Sequence, residues 1–115
     1  MVSDKDYIPE RGDVIWISFT PQFGHEQSGR RSALILSPGA YNELAGLALM
    51  SPITSQIKGY PFEVEIPAHL KVTGVILSDQ VKSLDWRARK AEFICRLPSS
   101  TIIEVLKKFN TLVRI

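Results

Sequence analysis

The chain reads as a mainly β domain (α+β at most): a small, strongly curved antiparallel β-barrel followed by one C-terminal α-helix. Three observations predict this. Six or so short runs are apolar or strictly alternating and are separated by long polar loops. The hydrophobic period changes to that of a helix only from about Pro98. The 115 residues suffice for one buried core and leave no length for a separate second domain, so residues 1–115 are read as a single unit.

The first strand follows Arg11-Gly12-Asp13, with Ile15, Ile17 and Phe19 on one face, expected to be the core, and Val14, Trp16 and Ser18 on the other. Trp16 on that second face calls for a cover, and a dimer seam is the preferred reading. Ala33–Leu36 is the second strand. Ser37-Pro38-Gly39 then breaks the chain, and 41–45 fits a short helical turn before Gly46. Leu47–Ser51 is the third strand, expected to end at Pro52. Residues 53–61 read as a loop, and Phe62-Glu63-Val64-Glu65-Ile66 alternates as a half-exposed strand should. Gly74–Ser78 is the next strand; Asp79 to Lys82 continues extended or turns, and Glu92–Arg96 is the last. Ile102, Val105, Leu106, Phe109, Leu112 and Val113 then fall at helical spacing. That helix starts either with Pro98 in its first turn or at a Thr101/Glu104 capping box.

With 44% hydrophobic and 23% charged residues the composition is that of a globular protein. No apolar run approaches the roughly 18 residues of a spanning helix, and the N-terminus lacks a signal-peptide layout, so the expected location is cytoplasmic, away from membranes. A lone cysteine, Cys95, excludes an internal disulfide and reads as a small buried hydrophobe. The net charge of +2 is too small to argue for a nucleic-acid partner, but its distribution is uneven. Residues 1–78 carry six basic and eight acidic groups, residues 79–115 eight basic and four acidic ones.

Between the first two strands lies Gly24-His25-Glu26-Gln27-Ser28-Gly29-Arg30-Arg31, a carboxylate, an imidazole and two guanidinium groups crowded into a polar connection where a fold displays reactive groups. The two histidines, His25 and His69, are far apart and no zinc-ligand spacing is present, so no metal or other cofactor is expected. No serine sits in a nucleophile elbow, and no Gly-rich phosphate loop leads into a helix. What remains is a cationic site with hydroxyl groups. Arg31, at the junction of loop and strand, suits phosphate. By residue type alone ordinary solvation or an ion pair is the preferred reading of Arg31, and a turn that of Thr54.

The run Arg11-Gly12-Asp13-Val14-Ile15-Trp16, then Pro21, then 24–31, then Leu34-Ile35-Leu36-Ser37, resembles the MazF/PemK family of toxin endoribonucleases. Pro52-Ile53-Thr54, Lys58-Gly59-Tyr60-Pro61-Phe62-Glu63-Val64 and the stretch from Gly74 to Arg89 agree, so the resemblance spans nearly the whole chain in order. It implies an SH3-like barrel with a terminal helix, forming a homodimer. It further implies metal-independent, sequence-specific cleavage of single-stranded RNA and inhibition by a cognate MazE-like antitoxin. Arg31 and Thr54 match the family's catalytic pair, and Glu26 with Gln27 matches the loop that shapes the RNA site. In the family reaction the ribose 2'-hydroxyl attacks the phosphate, leaving a 2',3'-cyclic phosphate and a 5'-hydroxyl.

On that reading Glu26 and His25 are the possible bases, and His25, Arg30, Lys58, Asp79, Gln80, Lys82, Arg87 and Arg89 join Gln27 as expected RNA contacts. Trp86 is read as structural. One departure stands out: Ser32 occupies the position after Arg31 where the family usually has proline, which relaxes the arginine's backbone and adds a donor. Two rivals follow from the same barrel: a non-catalytic toxin like the CcdB group, which acts on DNA gyrase by protein contact, and a module that only binds RNA.

Overall fold

The alternations and the later helical period become seven strands and two helices among the residues that the computed structural model describes, 6–19 and 29–115. The strands are β1 (Asp13–Ser18), β2 (Arg30–Ile35), β3 (Ala48–Thr54), β4 (Glu63–Glu65), β5 (Val75–Leu77), β6 (Lys82–Leu84) and β7 (Glu92–Arg96). The helices are α1 (Gly39–Ala45) and α2 (Ser99–Val113). Pairing is antiparallel in the order β4-β5-β3-β2-β1-β7, with β6 on β3. The antiparallel, mainly β class with a C-terminal helix is therefore as expected. Among the described residues no pairing joins β4 to β7, so the barrel is not closed by a continuous ladder.

Pro52 does not end the third strand. One edge of β3 pairs with β2 through Met50, Ser51 and Pro52. The opposite edge pairs with β6 at Ala48–Met50 and with β5 at Ile53 and Thr54. Ser51 and Pro52 fall in the gap between those two partners, where a missing N–H costs no ladder bond. The strand can thus run on, and Thr54 becomes its last residue, paired with Val75, where residue type alone suggested a turn.

Both faces of the central strands are buried. Ile15, Ile17, Ala33, Ile35, Ala48 and Met50 pack with Trp86 and Ala91 in one core. Val14, Leu34, Ile53, Val64 and Ile76 pack with Ile102 and Val105 of α2 in the other. The expectation that only the Ile15/Ile17 face is core is corrected: α2 covers Val14 on the reverse side, while Trp16, two residues on, is 41% exposed. Pro98 takes the N-cap position of α2 without a side-chain cap, and the buried Thr101 donates its N–H to the Pro98 carbonyl at 3.0 Å, so the capping box is not used. Trp86 is buried, and its indole N–H donates to the Asn42 carbonyl at 3.1 Å. Cys95 is half-buried, and that burial pushes its thiol up from its ordinary value. No helix among the described residues is long and apolar enough to cross a membrane.

Candidate active site

The register of β2 on β3 brings together two residues 23 positions apart. Ala33 lies opposite Pro52, so extending the antiparallel register by two residues sets Arg31 opposite Thr54. Both line a cleft of about 470 Å³ together with Gln56, Lys58, Tyr60, Glu63, Leu77 and Gln80. Arg31 is exposed, and its backbone is held on the other side by pairing with Ile17 of β1. Its guanidinium makes no hydrogen bond or ion pair to another described residue, which leaves its donors for an anion in the cleft it lines.

Thr54 is prepared differently. Its Oγ1 accepts the Gln56 N–H at 3.1 Å, which occupies a lone pair and leaves the hydroxyl proton to donate into the cleft. Behind it, Gly74 has φ +111°, and a β-carbon there would collide with the Thr54 carbonyl. Only glycine permits both that backbone and that approach.

The loop after β3 is bound from within. Both Glu63 carboxylate oxygens accept backbone N–H groups, Lys58 at 2.9 Å and Gly59 at 2.9 Å, and the Tyr60 hydroxyl donates to Asp79 at 2.8 Å. Partial desolvation, then the bond to Asp79, raise the Tyr60 pKa above its ordinary value. Tyr60 therefore stays a neutral donor and is unsuited to take a proton.

Of the residues expected at the site, Arg31, Thr54, Lys58 and Gln80 share the cleft, and Asp79 adjoins it through Tyr60. Lys82 lies on β6 and is exposed, and the Arg87 guanidinium sits 4.6 Å from the centre of the Trp86 ring; neither lines the cleft. Arg30 and Arg89, expected as RNA contacts, do not line the cleft and bond to groups of the protein. Arg30 donates to Ser18 Oγ at 2.9 Å, to the Lys90 carbonyl at 3.1 Å and to Glu92 at 2.9 Å, and lies 5.8 Å from the Trp16 ring centre. Arg89 donates to the carbonyls of Ser18, at 3.1 Å, and Phe19. His25, Glu26 and Gln27 lie outside the described residues.

Gln56, Tyr60, Glu63 and Leu77 line the cleft without having been singled out in the sequence. One signal was available for Glu63: the strict alternation of 62–66 places its side chain opposite the buried Val64. Its role in organising the loop depends on a turn that alternation does not encode.

Comparison with known proteins shows the family. Residues 10–113 match the family model described as PemK-like, MazF-like toxin of type II toxin-antitoxin system. The endoribonuclease toxin MazF of Escherichia coli strain K12 is 52% identical over 85 residues, covering 74% of this chain and 76% of that protein. The endoribonuclease toxin ChpB of the same strain is 36% identical over 122 residues, covering 98% and 99%. Among solved structures, MazF from Deinococcus radiodurans superposes with a TM-score of 0.87 at 53% identity, covering 96% of this chain and all of that one. A MazE-MazF complex from the same organism gives 0.84 at 47%, covering 94% and 97%. Family match, relatives matched over three quarters or more of their length and a shared fold agree: the chain belongs to the MazF/PemK family of toxins of type II toxin-antitoxin systems.

Proposed function

We propose that this protein is an endoribonuclease toxin that cuts single-stranded RNA at specific sequences without a metal, works as a homodimer, and is silenced by a MazE-like antitoxin. The single observation that carries the reading is the meeting of Arg31 and Thr54 in one cleft. Its relatives are named endoribonucleases, and one is solved in complex with MazE.

The chemistry follows from charge. The ribose 2'-oxygen attacks phosphorus, the P–O5' bond breaks, and negative charge builds on the non-bridging oxygens. A guanidinium already aimed at that position stabilises the transition state more than the ground state, with no reorganisation at the moment of reaction. The Thr54 hydroxyl, its lone pair held by Gln56 N–H, donates to the same oxygens. Arginine stays protonated, so the 2'-proton goes elsewhere, to Glu26 or His25, while O5' leaves as a hydroxyl after taking a proton. Lys58 and Gln80 meet the flanking nucleotides. The antitoxin is an acidic, partly disordered chain that lies over the basic surface.

The test is a long single-stranded RNA incubated in EDTA with the wild type and with Arg31→Ala, followed by end mapping. Discrete cuts with 5'-hydroxyl ends, lost in the variant, support the enzyme. Intact RNA contradicts it and favours a binding role. If Glu26→Gln and His25→Ala both cut at the wild-type rate with an unchanged pH profile, neither is the base.

A further inference from the structure

Strand β4 is an edge of the sheet, paired only with β5 among the described residues. The Phe62 carbonyl accepts the Ser78 N–H at 3.0 Å from the β5 side. By alternation the carbonyls of residues 61 and 63 then face the open edge. An unpaired edge needs a cover, and α2 supplies it. The Lys108 ammonium donates to the Pro61 carbonyl at 2.6 Å and to the Glu63 carbonyl at 3.0 Å. On the same helix Glu104 stands 3.7 Å away, one turn back.

Glu63 is thus held at both ends. Lys108 fixes its carbonyl from the helix side, and its carboxylate gathers the Lys58 and Gly59 amides on the cleft side. Pro61, the other carbonyl that Lys108 holds, follows Tyr60, whose hydroxyl is tied to Asp79. The segment that forms one wall of the cleft is anchored on its β5 side by Ser78, whose N–H and hydroxyl both donate to the Phe62 carbonyl, and on its open edge by the Lys108 ammonium.

We propose that Lys108 is a positioning residue for RNA cleavage: it takes no part in the chemistry, and fixes the backbone of 61–63 so that Lys58 and Tyr60 stand correctly beside Arg31 and Thr54. This rests on the function proposed above. A small displacement of substrate-holding groups costs one to two orders of magnitude in rate without touching the reacting atoms.

The experiment pairs a measurement on free protein with one on RNA. In Lys108→Met the Lys58 and Gly59 amides exchange with solvent about tenfold faster, while amides of β3 and the first turns of α2 do not change. The same variant loses about tenfold in kcat/KM, mostly through KM, on a short RNA substrate. Lys108→Arg restores most of both, and Glu104→Gln, which leaves the carbonyl contacts intact, behaves as wild type. Three results overturn the proposal: unchanged exchange at Lys58 and Gly59, an unchanged kcat/KM, or faster exchange spread evenly over α2 and the sheet. If the wild type cuts no RNA, the proposed function fails, and the exchange measurement still decides whether Lys108 orders the loop.

Discussion

Arg30 and Arg31 are neighbours on one strand, identical in type, and opposite in situation. Successive residues of a strand point to opposite faces. Arg30 lies over Trp16 and donates to Ser18, Lys90 and Glu92, joining β1, β2 and the approach to β7. Arg31 opens onto the cleft beside Thr54. A satisfied guanidinium is a clamp, because its donors are used and moving it breaks several bonds. One without a partner among the described residues keeps its donors for an anion. Residue type does not separate a structural arginine from a functional one; the saturation of its donors does.

The largest effects belong to the cleft. Arg31→Ala lowers the cleavage rate by roughly a hundredfold to a thousandfold while shifting thermal stability little, as a denaturation curve recorded beside the rate would show. Thr54→Val costs roughly a hundredfold in kcat, and Thr54→Ser recovers most of it, since the hydroxyl and its bond from Gln56 remain. Equal losses in Val and Ser would assign Thr54 to packing instead. Gly74→Ala acts on both sides of the comparison. It forces a side chain into a backbone with φ +111° and against the Thr54 carbonyl, so it destabilises by about 2 kcal/mol and also slows cleavage.

Clamping residues should show the reverse balance. Arg30→Ala removes a partly buried bond to Ser18 and solvent-exposed bonds to Lys90 and Glu92, and destabilises the fold by about 1 kcal/mol in a urea titration. The smallest effect is expected at Glu10. Its carboxylate accepts the Gly39 N–H at 2.7 Å and the Arg11 N–H at 2.9 Å, and these bonds, Gly39 first, lower its pKa below the ordinary 4.5. A lowered folded pKa means the stabilisation is present above the unfolded value and is lost as pH falls through the lowered one. Glu10→Gln should therefore be slightly less stable than wild type at pH 7, with the gap closing in acid.

Much of this was legible in the sequence. The last strand reads from Glu92 to Arg96, the change of period announces α2, and Trp86 reads as structural, as the fold has them. The third strand outruns its sequence reading because a proline inside a strand is excluded only where an N–H is needed. Whether one is needed at position 52 depends on which strands lie alongside. The cleft was half legible. Arg31 and Thr54 came from resemblance, and their meeting needs only the β2/β3 register. Tyr60, Glu63 and Lys108 were missed because their roles arise from contacts between a loop, a distant turn and the terminal helix. The bonds that Arg30 and Arg89 make are hidden for the same reason, since their partners are far along the chain.

The most direct test is one number measured twice: kcat/KM on a single RNA in EDTA for Arg31→Ala and for Arg30→Ala, each corrected for its folded fraction. The clamp-and-cleft account predicts a loss of a hundredfold or more for Arg31→Ala and no more than about threefold for Arg30→Ala. An Arg31→Ala protein that cuts at the wild-type rate, or a folded Arg30→Ala protein that loses as much as Arg31→Ala, would contradict it.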